Sequence, residues 1–289
     1  MTESISNDTI NLLHQRTSCR SFADKPIPED VMQAIFEAGI HAPTGGNLQP
    51  YSIIRIEDKA TSEWLARWSH QKFIGDAAVN LLFCIDWYRL KRWAELENAP
   101  FSAQKAFRHF WISFQDTIIA AQNISTAADA LGVGSVYIGT IMEFFPELRE
   151  MFQLPSGVFP VVLLCLGYPT KEVEIAPKLG VETIVHKEKY HNYSDDEIRQ
   201  AFNAKYGEKK FQIDDERMAR LEETFRKLHG KKSAKECIDR IKDAGYINMA
   251  QHRFGIHYNA WVMPHKNQKF LDEVKDAGFG WFEKFKGKV

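Results

Sequence analysis

The segment RTSCR carries two guanidinium groups and a hydroxyl at alternate positions, Arg16, Ser18 and Arg20. In an extended backbone alternate side chains point to the same side, so these three would face one ligand together. Arginine supplies forked donors that match phosphate oxygens, and serine adds a short neutral donor. The segment therefore suits a phosphate group, with two solvated surface arginines as the alternative for so short a motif.

A second polar segment, HAPTGGNLQPY, lies between an expected helix and an expected strand. Its glycines let the backbone approach a planar ligand closely. Thr44, Asn47 and Gln49 supply the hydrogen-bond donors and acceptors that the edge of a polar heterocycle requires. An ordinary helix-to-strand turn is the alternative.

The third segment, GVGSVYIGTI, ends a strand at Tyr137, Ile138, Gly139 and Thr140, where backbone N–H groups could face a ligand. The glycine spacing does not match G-x-G-x-x-G, and the chain has no Walker A sequence at this point. A Rossmann dinucleotide site is therefore not expected.

Helices and short strands must position these three segments. A helix is expected from near Pro28 to a point before Pro43, with acidic residues in its first turn. Helical segments separate four β-rich runs, which predicts an α+β or α/β class. The runs are residues 51–56, 79–85, 133–138 and 161–166.

The longest helical pattern covers roughly residues 102–131 and has Gly132 as its natural C-cap. Apolar and small residues cover more than one of its faces, so the helix must be buried on several sides. A central helix or a helix at a subunit interface is expected.

After about residue 187 the sequence becomes charged and helix-forming. We therefore expect two parts, residues 1–194 and a mostly helical extension, residues 195–289, packed on the first part or on a dimer partner. The final helix, near residues 267–282, is expected to dock through apolar side chains. They are Phe270, Leu271, Val274 and Trp281.

The composition argues against several classes of protein. With 37 basic and 38 acidic residues, the chain has almost no net charge, so it lacks the overall positive potential that would attract nucleic acid or an anionic membrane. It shows no signal peptide and no apolar run long enough to span a bilayer, so a cytoplasmic location is expected. Four separated cysteines without a C-x-x-C pair, and histidines without H-E-x-x-H, predict buried thiols and no metal site.

Taken together, the three polar segments and their intervals resemble the nitroreductase family, and within it the branch of oxygen-insensitive NADPH-nitroreductases and flavin reductase P. The resemblance covers about residues 8–194 and resumes weakly at FLDEVKDAGFGW. It rests on QRTSCRSFADKPI, SIIRIEDKA, SHQKFIGDAA, FCIDW, AAQNISTAADALGVGSVYIG and LCLGYP.

This resemblance implies an α+β fold with a central mixed sheet flanked by helices, and a homodimer with FMN at the subunit interface. FMN would be reduced by NAD(P)H and reoxidised by a small-molecule electron acceptor in the same pocket. By position, the resemblance gives the cofactor-binding residues as follows: Arg16, Thr17, Ser18 and Arg20 for the phosphate and ribityl chain; Pro43, Thr44, Gly45, Asn47 and Gln49 for the flavin surroundings; Gln71 for the ring edge; and Tyr137, Ile138, Gly139 and Thr140 along the ring.

Three departures from the branch bear on these assignments. APKLG stands where the branch has K-P-R-L-P, so Lys178 can replace the arginine but Ala176 supplies no second cation. A Gly-Gly pair of the branch is Gly139-Thr140 here. The setting of Asn47 is more typical of the wider family.

Nicotinamide preference stays open, because residues 205–250 have no counterpart in the branch. Arg253, with His252 and His257, is one candidate contact for a 2′-phosphate, and solvated or core side chains are the alternative. Other functions that the resemblance allows are dehalogenation or flavin fragmentation, export of reduced flavin, and flavin binding without turnover. No side chain is assigned as catalytic, because the flavin would carry the chemistry.

Overall fold

The computed structural model describes residues 5–207 and 209–284, which form two compact units. The first unit comprises the chain up to Ile175 together with the segment from Leu271 onward. The second comprises Ala176–Phe270. This division differs from the expected one at two points: the first unit ends at Ile175 rather than at residue 194, and the segment from Leu271 onward returns to it.

A four-stranded antiparallel sheet in the order β1-β2-β4-β3 forms the centre of the first unit. Its strands are β1 (Tyr51–Ile56), β2 (Val79–Asp86), β3 (Gly134–Ile138) and β4 (Val158–Gly167). Every residue of β2 and β4 is buried, which explains their largely apolar sequences, and the exceptions in β2, Asn80 and Asp86, are buried polar residues. A mixed sheet was expected, but all four strands pair antiparallel. In the described residues, parallel pairing occurs at the isolated bridge between Ser18 and Ser135.

β4 begins three residues before the expected strand, which started directly after Pro160, whereas the observed strand includes this proline. Proline lacks an N–H group and is normally kept out of central strands except at bulges. The pairing of β2 with β4 shifts register between Phe83 and Cys84, and Cys84 lies opposite Pro160. The irregularity accommodates the proline, so the strand continues through it.

Among the described residues of the first unit, six helices lie entirely within it: α1 (Asp8–Gln15), α2 (Glu29–Ile40), α3 (Lys59–Trp68), α4 (Trp87–Leu96), α5 (Phe107–Ala130) and α6 (Phe145–Met151). Side-chain oxygens of Asn7, Asp58 and Asp86 cap α1, α3 and α4 by accepting backbone N–H groups. α5 confirms the long buried helix, although the chain before Phe107 forms a short 3-10 turn. Gly39 lets α2 lie close to α5, because a Cβ there would overlap Ile124.

The end of the chain belongs to the first unit because aromatic side chains hold it there. Phe279 is fully buried, with its ring centroid 4.9 Å from that of Trp87 and 5.9 Å from that of Phe110. Trp281 also packs on Phe110, and the Gly280 N–H donates to the Gln104 carbonyl. Docking through Trp281 is thereby confirmed.

The second unit is helical and has its own apolar core, built around Leu221, Ile241 and Ile247. Its helices are α7 (Val181–Ile184), α8 (Asp195–Tyr206) and α9 (Asp215–Ala244), and α10 (Asn267–Asp276) crosses the boundary between the units. α9 is interrupted at Gly230, whose backbone is not helical. A π-helical turn, Gln251–His257, follows.

The four cysteines are buried free thiols, as expected. Within residues 5–207 and 209–284, no helix is both long and apolar enough to cross a bilayer. The same residues contain no group of three or more His, Cys, Asp or Glu side chains that could hold a metal ion.

Candidate functional site

The basic segment follows α1 directly and runs beside β3. Ser18 pairs with Ser135, and the Cys19 N–H donates to the Ser135 carbonyl at 2.9 Å. Cys19 is 3% exposed and points into the core, whereas Arg20 is exposed. Arg20 therefore lies on the opposite side of the segment from Cys19, and the common face expected for Arg16, Ser18 and Arg20 is not formed, because Cys19 and not Ser18 or Arg20 lies with Arg16 at the adjoining cavity.

A cavity of about 460 Å³ adjoins this segment. Its lining includes Arg16 and Thr17 but neither Ser18 nor Arg20. The structure thus brings one of the two predicted arginines into the cavity and leaves the other on the exposed side of the segment. Asp129 and Lys171 line the same space.

Asp129, in the last turn of α5, is the acidic neighbour of Arg16. Burial raises the pKa of Asp129 to about 6, and the positive charge of Arg16 acts against this rise. An acid at a helix C-terminus also faces the negative end of the helix dipole. Because α5 has no basic residue in its last turn, the nearby positive charge comes from Arg16.

Polar side chains of β3 form hydrogen bonds with side chains of α5. Ser135 Oγ lies 2.8 Å from Ser125 Oγ, and the Tyr137 hydroxyl donates to Gln122 Oε1 at 3.4 Å. Burial raises the pKa of Tyr137 to about 12, so its hydroxyl stays protonated at neutral pH. The side chain of Ile138 is buried in the core, so only its backbone could contact a ligand.

Gly139 follows β3 and is exposed. Its backbone angles, φ −86° and ψ −20°, are open to any residue, so conformation does not require glycine here. A Cβ built at Gly139 would meet no atom within 4 Å. Neither the backbone nor a neighbouring side chain explains the glycine, and the space in front of it is open.

Two predicted residues meet beside this space. Gln71 Nε2 donates to Thr140 Oγ1 at 3.2 Å, joining the loop after α3 to the turn after β3. These positions are 69 residues apart in sequence. The structure therefore places Gln71, Gly139 and Thr140 in one neighbourhood.

The loop from Pro43 to Gln49 is anchored on the middle of α5. The Gly45 N–H donates to both carboxylate oxygens of Asp116 at 3.1 Å. A Cβ at Gly45 would lie 2.8 Å from Ile112 Cγ2, so only glycine fits this close approach. Burial raises the pKa of Asp116, and the hydrogen bonds from Gly45 act against this rise.

Within this loop the polar groups of Thr44 and Gln49 already have partners. Thr44 Oγ1 accepts the Gln49 N–H, and Gln49 Nε2 donates to the Ile40 carbonyl at 3.0 Å. Asn47 and Gln49 have positive φ angles of 55° and 46°, which are costly for residues other than glycine. Asn47 is exposed, so its side chain is the one best placed to meet a ligand.

The loop contacts the middle of α5, whereas the basic segment lies near the C-terminal end of that helix. Asp129 lies about 20 Å along the helix from Asp116, at roughly 1.5 Å per residue. The residues predicted for one site thus form two separate groups within a single chain. Lys178 is exposed and belongs to the second unit, and its contact with a phosphate stays a prediction.

Comparison with known proteins identifies the family to which this fold and these candidate residues belong. The sequence model of the nitroreductase family matches residues 13–168, more than half of the chain and all the candidate residues of the first unit. The chain belongs to the nitroreductase family. It is therefore an oxidoreductase, and its α+β architecture is that of the nitroreductase fold.

Relatives of this nitroreductase match most of its length. An NADPH-dependent oxidoreductase of Staphylococcus aureus (strain USA300) is 31% identical over 255 residues, covering 84% of this chain and 99% of the relative. An oxygen-insensitive NADPH nitroreductase of Salmonella typhimurium is 35% identical over 183 residues, covering 63% of this chain and 74% of that protein. A solved structure of an NADPH:FMN oxidoreductase from Vibrio harveyi complexed with NAD+ has a TM-score of 0.63 and 31% identity, covering 69% of this nitroreductase and 86% of that chain.

The two carboxylates on α5 did not emerge from the sequence motifs. Asp116 shares a buried helix face with Ser113 and Thr117, and polar residues at this spacing on an apolar helix were an available signal. Asp129 offered a second signal as an acid at a helix C-terminus.

In the second unit, His252 stacks on Phe211 with ring centroids 3.9 Å apart, which gives it a packing role.

Proposed function

We propose that this nitroreductase is an FMN-dependent NAD(P)H oxidoreductase that reduces nitroaromatics, quinones or free flavin with ping-pong kinetics. The names of its relatives support NADPH as reductant and FMN as a compatible flavin. A single pocket used in turn by reductant and acceptor is the reason to expect ping-pong kinetics.

The open space at Gly139 is the observation that carries this proposal. A planar ring lying against a backbone requires a residue without a Cβ at the point of contact. Gly139 meets that requirement and has no other reason to be glycine. Polar side chains that can reach the edge of a ring, Gln71 and Thr140, lie beside it.

The chemistry of the basic segment fits the other end of FMN. Arg16 and Arg20 would hold the phosphate through charge-assisted hydrogen bonds, and Thr17 and Ser18 would add neutral donors. Because Ala176 supplies no cation, these two arginines would carry more of the phosphate charge.

The separation of the two groups on α5 supports a homodimer. If the phosphate of one FMN lies at Arg16 and its ring at Gly139, the Pro43–Gln49 loop of the same chain has no assigned part in that site and would serve the flavin of a second copy. Exposed apolar side chains mark the surface that such a copy would cover. They include Trp111 at 45% and Ile119 at 39% on α5, and Leu48 at 47% in the loop.

Bound FMN would supply two-electron transfer between NAD(P)H and the acceptor. The protein's part is to hold the phosphate at Arg16 and Arg20 and to keep the ring face open at Gly139. Gln71 and Thr140 would orient the ring edge. No side chain has to act as an acid, because solvent can protonate the reduced nitro or quinone product.

The proposal is tested with the purified protein. We expect flavin absorbance bands, or their appearance when FMN is added, bleaching by NADPH or NADH under anaerobic conditions, and recovery with nitrofurazone or menadione. A colourless protein that does not bind added FMN would refute the proposal. Product analysis distinguishes nitro and quinone reduction from dehalogenation or flavin fragmentation.

Gly139→Ala tests the observation itself. The new Cβ meets no protein atom, so thermal unfolding of the flavin-free protein should not change, whereas FMN affinity should fall about tenfold through overpacking against the ring. Gly134→Ala is the matched control. Its Cβ would lie 2.8 Å from Cys19 Cβ and 3.0 Å from Pro169 Cγ, so this change should lower the stability of the flavin-free protein. Equal FMN affinity in Gly139→Ala and wild type would remove the main support for the site.

A further inference from the structure

The contact between Gln71 and Thr140 has a direction. Gln71 Nε2 is the donor and Thr140 Oγ1 the acceptor, at 3.2 Å. A threonine hydroxyl has one proton to donate and two lone pairs to accept. Once a lone pair receives the Gln71 N–H group, the hydroxyl proton of Thr140 must point elsewhere.

The position of Gln71 is fixed by the way α3 ends. The His70 N–H donates to the Arg67 carbonyl and the Gln71 N–H to the Ala66 carbonyl, at 3.2 and 3.0 Å. This pair of bonds is a Schellman motif, with His70 in the left-handed conformation (φ 53°) where glycine is usual. Ile74, fully buried three residues later, holds the other end of the loop.

The position of Thr140 is fixed by the turn that it begins. Ile141 and Phe144, in the same 3-10 segment, are buried in the core. Thr140 is itself exposed, beside the open space at Gly139. Both partners of the hydrogen bond thus lie on backbone held by buried neighbours, and the pair meets at the surface of the candidate site.

We propose that Gln71 and Thr140 act as one hydrogen-bonded unit, in which Gln71 is a positioning residue that turns the Thr140 hydroxyl proton toward an acceptor atom of the flavin ring. The inference rests on the proposed function and deepens it. The expected role of Gln71 at the ring edge becomes indirect, because its donor is used by Thr140. Thr140 then replaces a glycine of the related branch with a group that binds the ring by its side chain.

The chemistry of the ligand follows from this arrangement. A hydroxyl proton turned away from Gln71 can be donated to a ring nitrogen or a ring carbonyl oxygen, which accept hydrogen bonds. Flavin offers both kinds of atom along one edge. Removal of either partner should therefore cost the same interaction, since Thr140 without Gln71 is free to rotate and Gln71 without Thr140 has lost its acceptor.

A double-mutant cycle tests the unit. FMN dissociation constants are measured by quenching of flavin fluorescence for wild type, Gln71→Leu, Thr140→Val and the double variant, with thermal unfolding of each flavin-free protein as the folding control. We expect each single change to weaken FMN binding about fivefold and the double change to weaken it no further. Thr140→Ser, which keeps the hydroxyl, should restore wild-type affinity.

The outcomes separate this inference from the proposed function. If wild type binds FMN and the two single effects multiply in the double variant, Gln71 and Thr140 act independently and the inference is overturned. If Thr140→Val binds FMN as wild type does, the hydroxyl has no role and the inference is also overturned. If wild type does not bind FMN, the proposed function fails and the inference fails with it.

Discussion

Two carboxylates on α5 serve the two halves of the candidate site in different ways. Asp116 accepts a backbone N–H from Gly45 with both oxygens, so it fixes the shape of a loop. Asp129 faces the side chain of Arg16 in a cavity, so it acts through charge. Burial raises the pKa of both acids. Of the two, Asp129 is the one that lies beside Arg16, the side chain that would also bind the phosphate.

The difference suggests that one half of the site is set by geometry and the other by electrostatics. A loop held by hydrogen bonds to a rigid helix keeps its shape whether or not a ligand is present. A guanidinium between a carboxylate and a phosphate site responds to the charge of both. Changes at the two ends should therefore give different signatures in stability and in flavin binding.

The largest effect is expected from the electrostatic half. Replacement of both Arg16 and Arg20 by alanine should weaken FMN binding about 100-fold, because two charge-assisted interactions with the phosphate are lost. Flavin titration by fluorescence measures this loss. A double change of Arg226 and Arg240, which are exposed in the second unit, to alanine removes equal charge elsewhere and should leave the affinity unchanged. Unaltered FMN binding without Arg16 and Arg20 would mean that the phosphate lies in another place.

A smaller effect, mainly on stability, is expected from the geometric half. Asp116→Ala leaves the Gly45 N–H without its acceptor and should lower the free energy of unfolding by about 2 kcal/mol. Urea denaturation of the flavin-free protein measures it. Asp116→Asn keeps one acceptor oxygen and should lose less. Should Asp116→Ala leave stability unchanged, the loop would not depend on α5 for its position.

Much of the fold could be predicted because its determinants are local. The strand Tyr51–Ile56 matches its predicted bounds, and α5 was expected from its apolar repeat. The first residues of β4 escaped prediction because Pro160 argues against a central strand. Its tolerance depends on the register of β2, which no local pattern reveals.

The candidate site was predictable only in part for a similar reason. Backbone segments rich in Gly, Arg and Ser could be identified by composition, but their partners are distant in sequence. Gly45 and Asp116 are 71 residues apart, and Gln71 and Thr140 are 69 residues apart. The return of the chain end to the first unit also depends on a distant contact, the packing of Phe279 against Trp87.

The smallest effect, and the sharpest test of the comparison, is expected from Asp129→Asn. The folded-state pKa of Asp129, about 6, lies above its ordinary value of 3.8, so the fold favours the protonated acid. The stability that this acid contributes is complete below about pH 4 and is lost as pH rises through 6. Asparagine stays neutral, so Asp129→Asn should unfold at a higher temperature than wild type at pH 8 and at a similar temperature at pH 4.

Flavin binding should follow the same pH dependence. Above pH 6 the ionised Asp129 competes with the FMN phosphate for Arg16, while Lys171 and Glu172 in the same cavity are unchanged by the substitution. Asp129→Asn should therefore bind FMN roughly threefold more tightly at pH 8 and equally well at pH 5. The ionisation of the phosphate itself is common to both proteins and cancels in their ratio. Weaker binding by Asp129→Asn at pH 8 would show instead that the carboxylate holds Arg16 in its binding position, and both halves of the site would then be set by geometry.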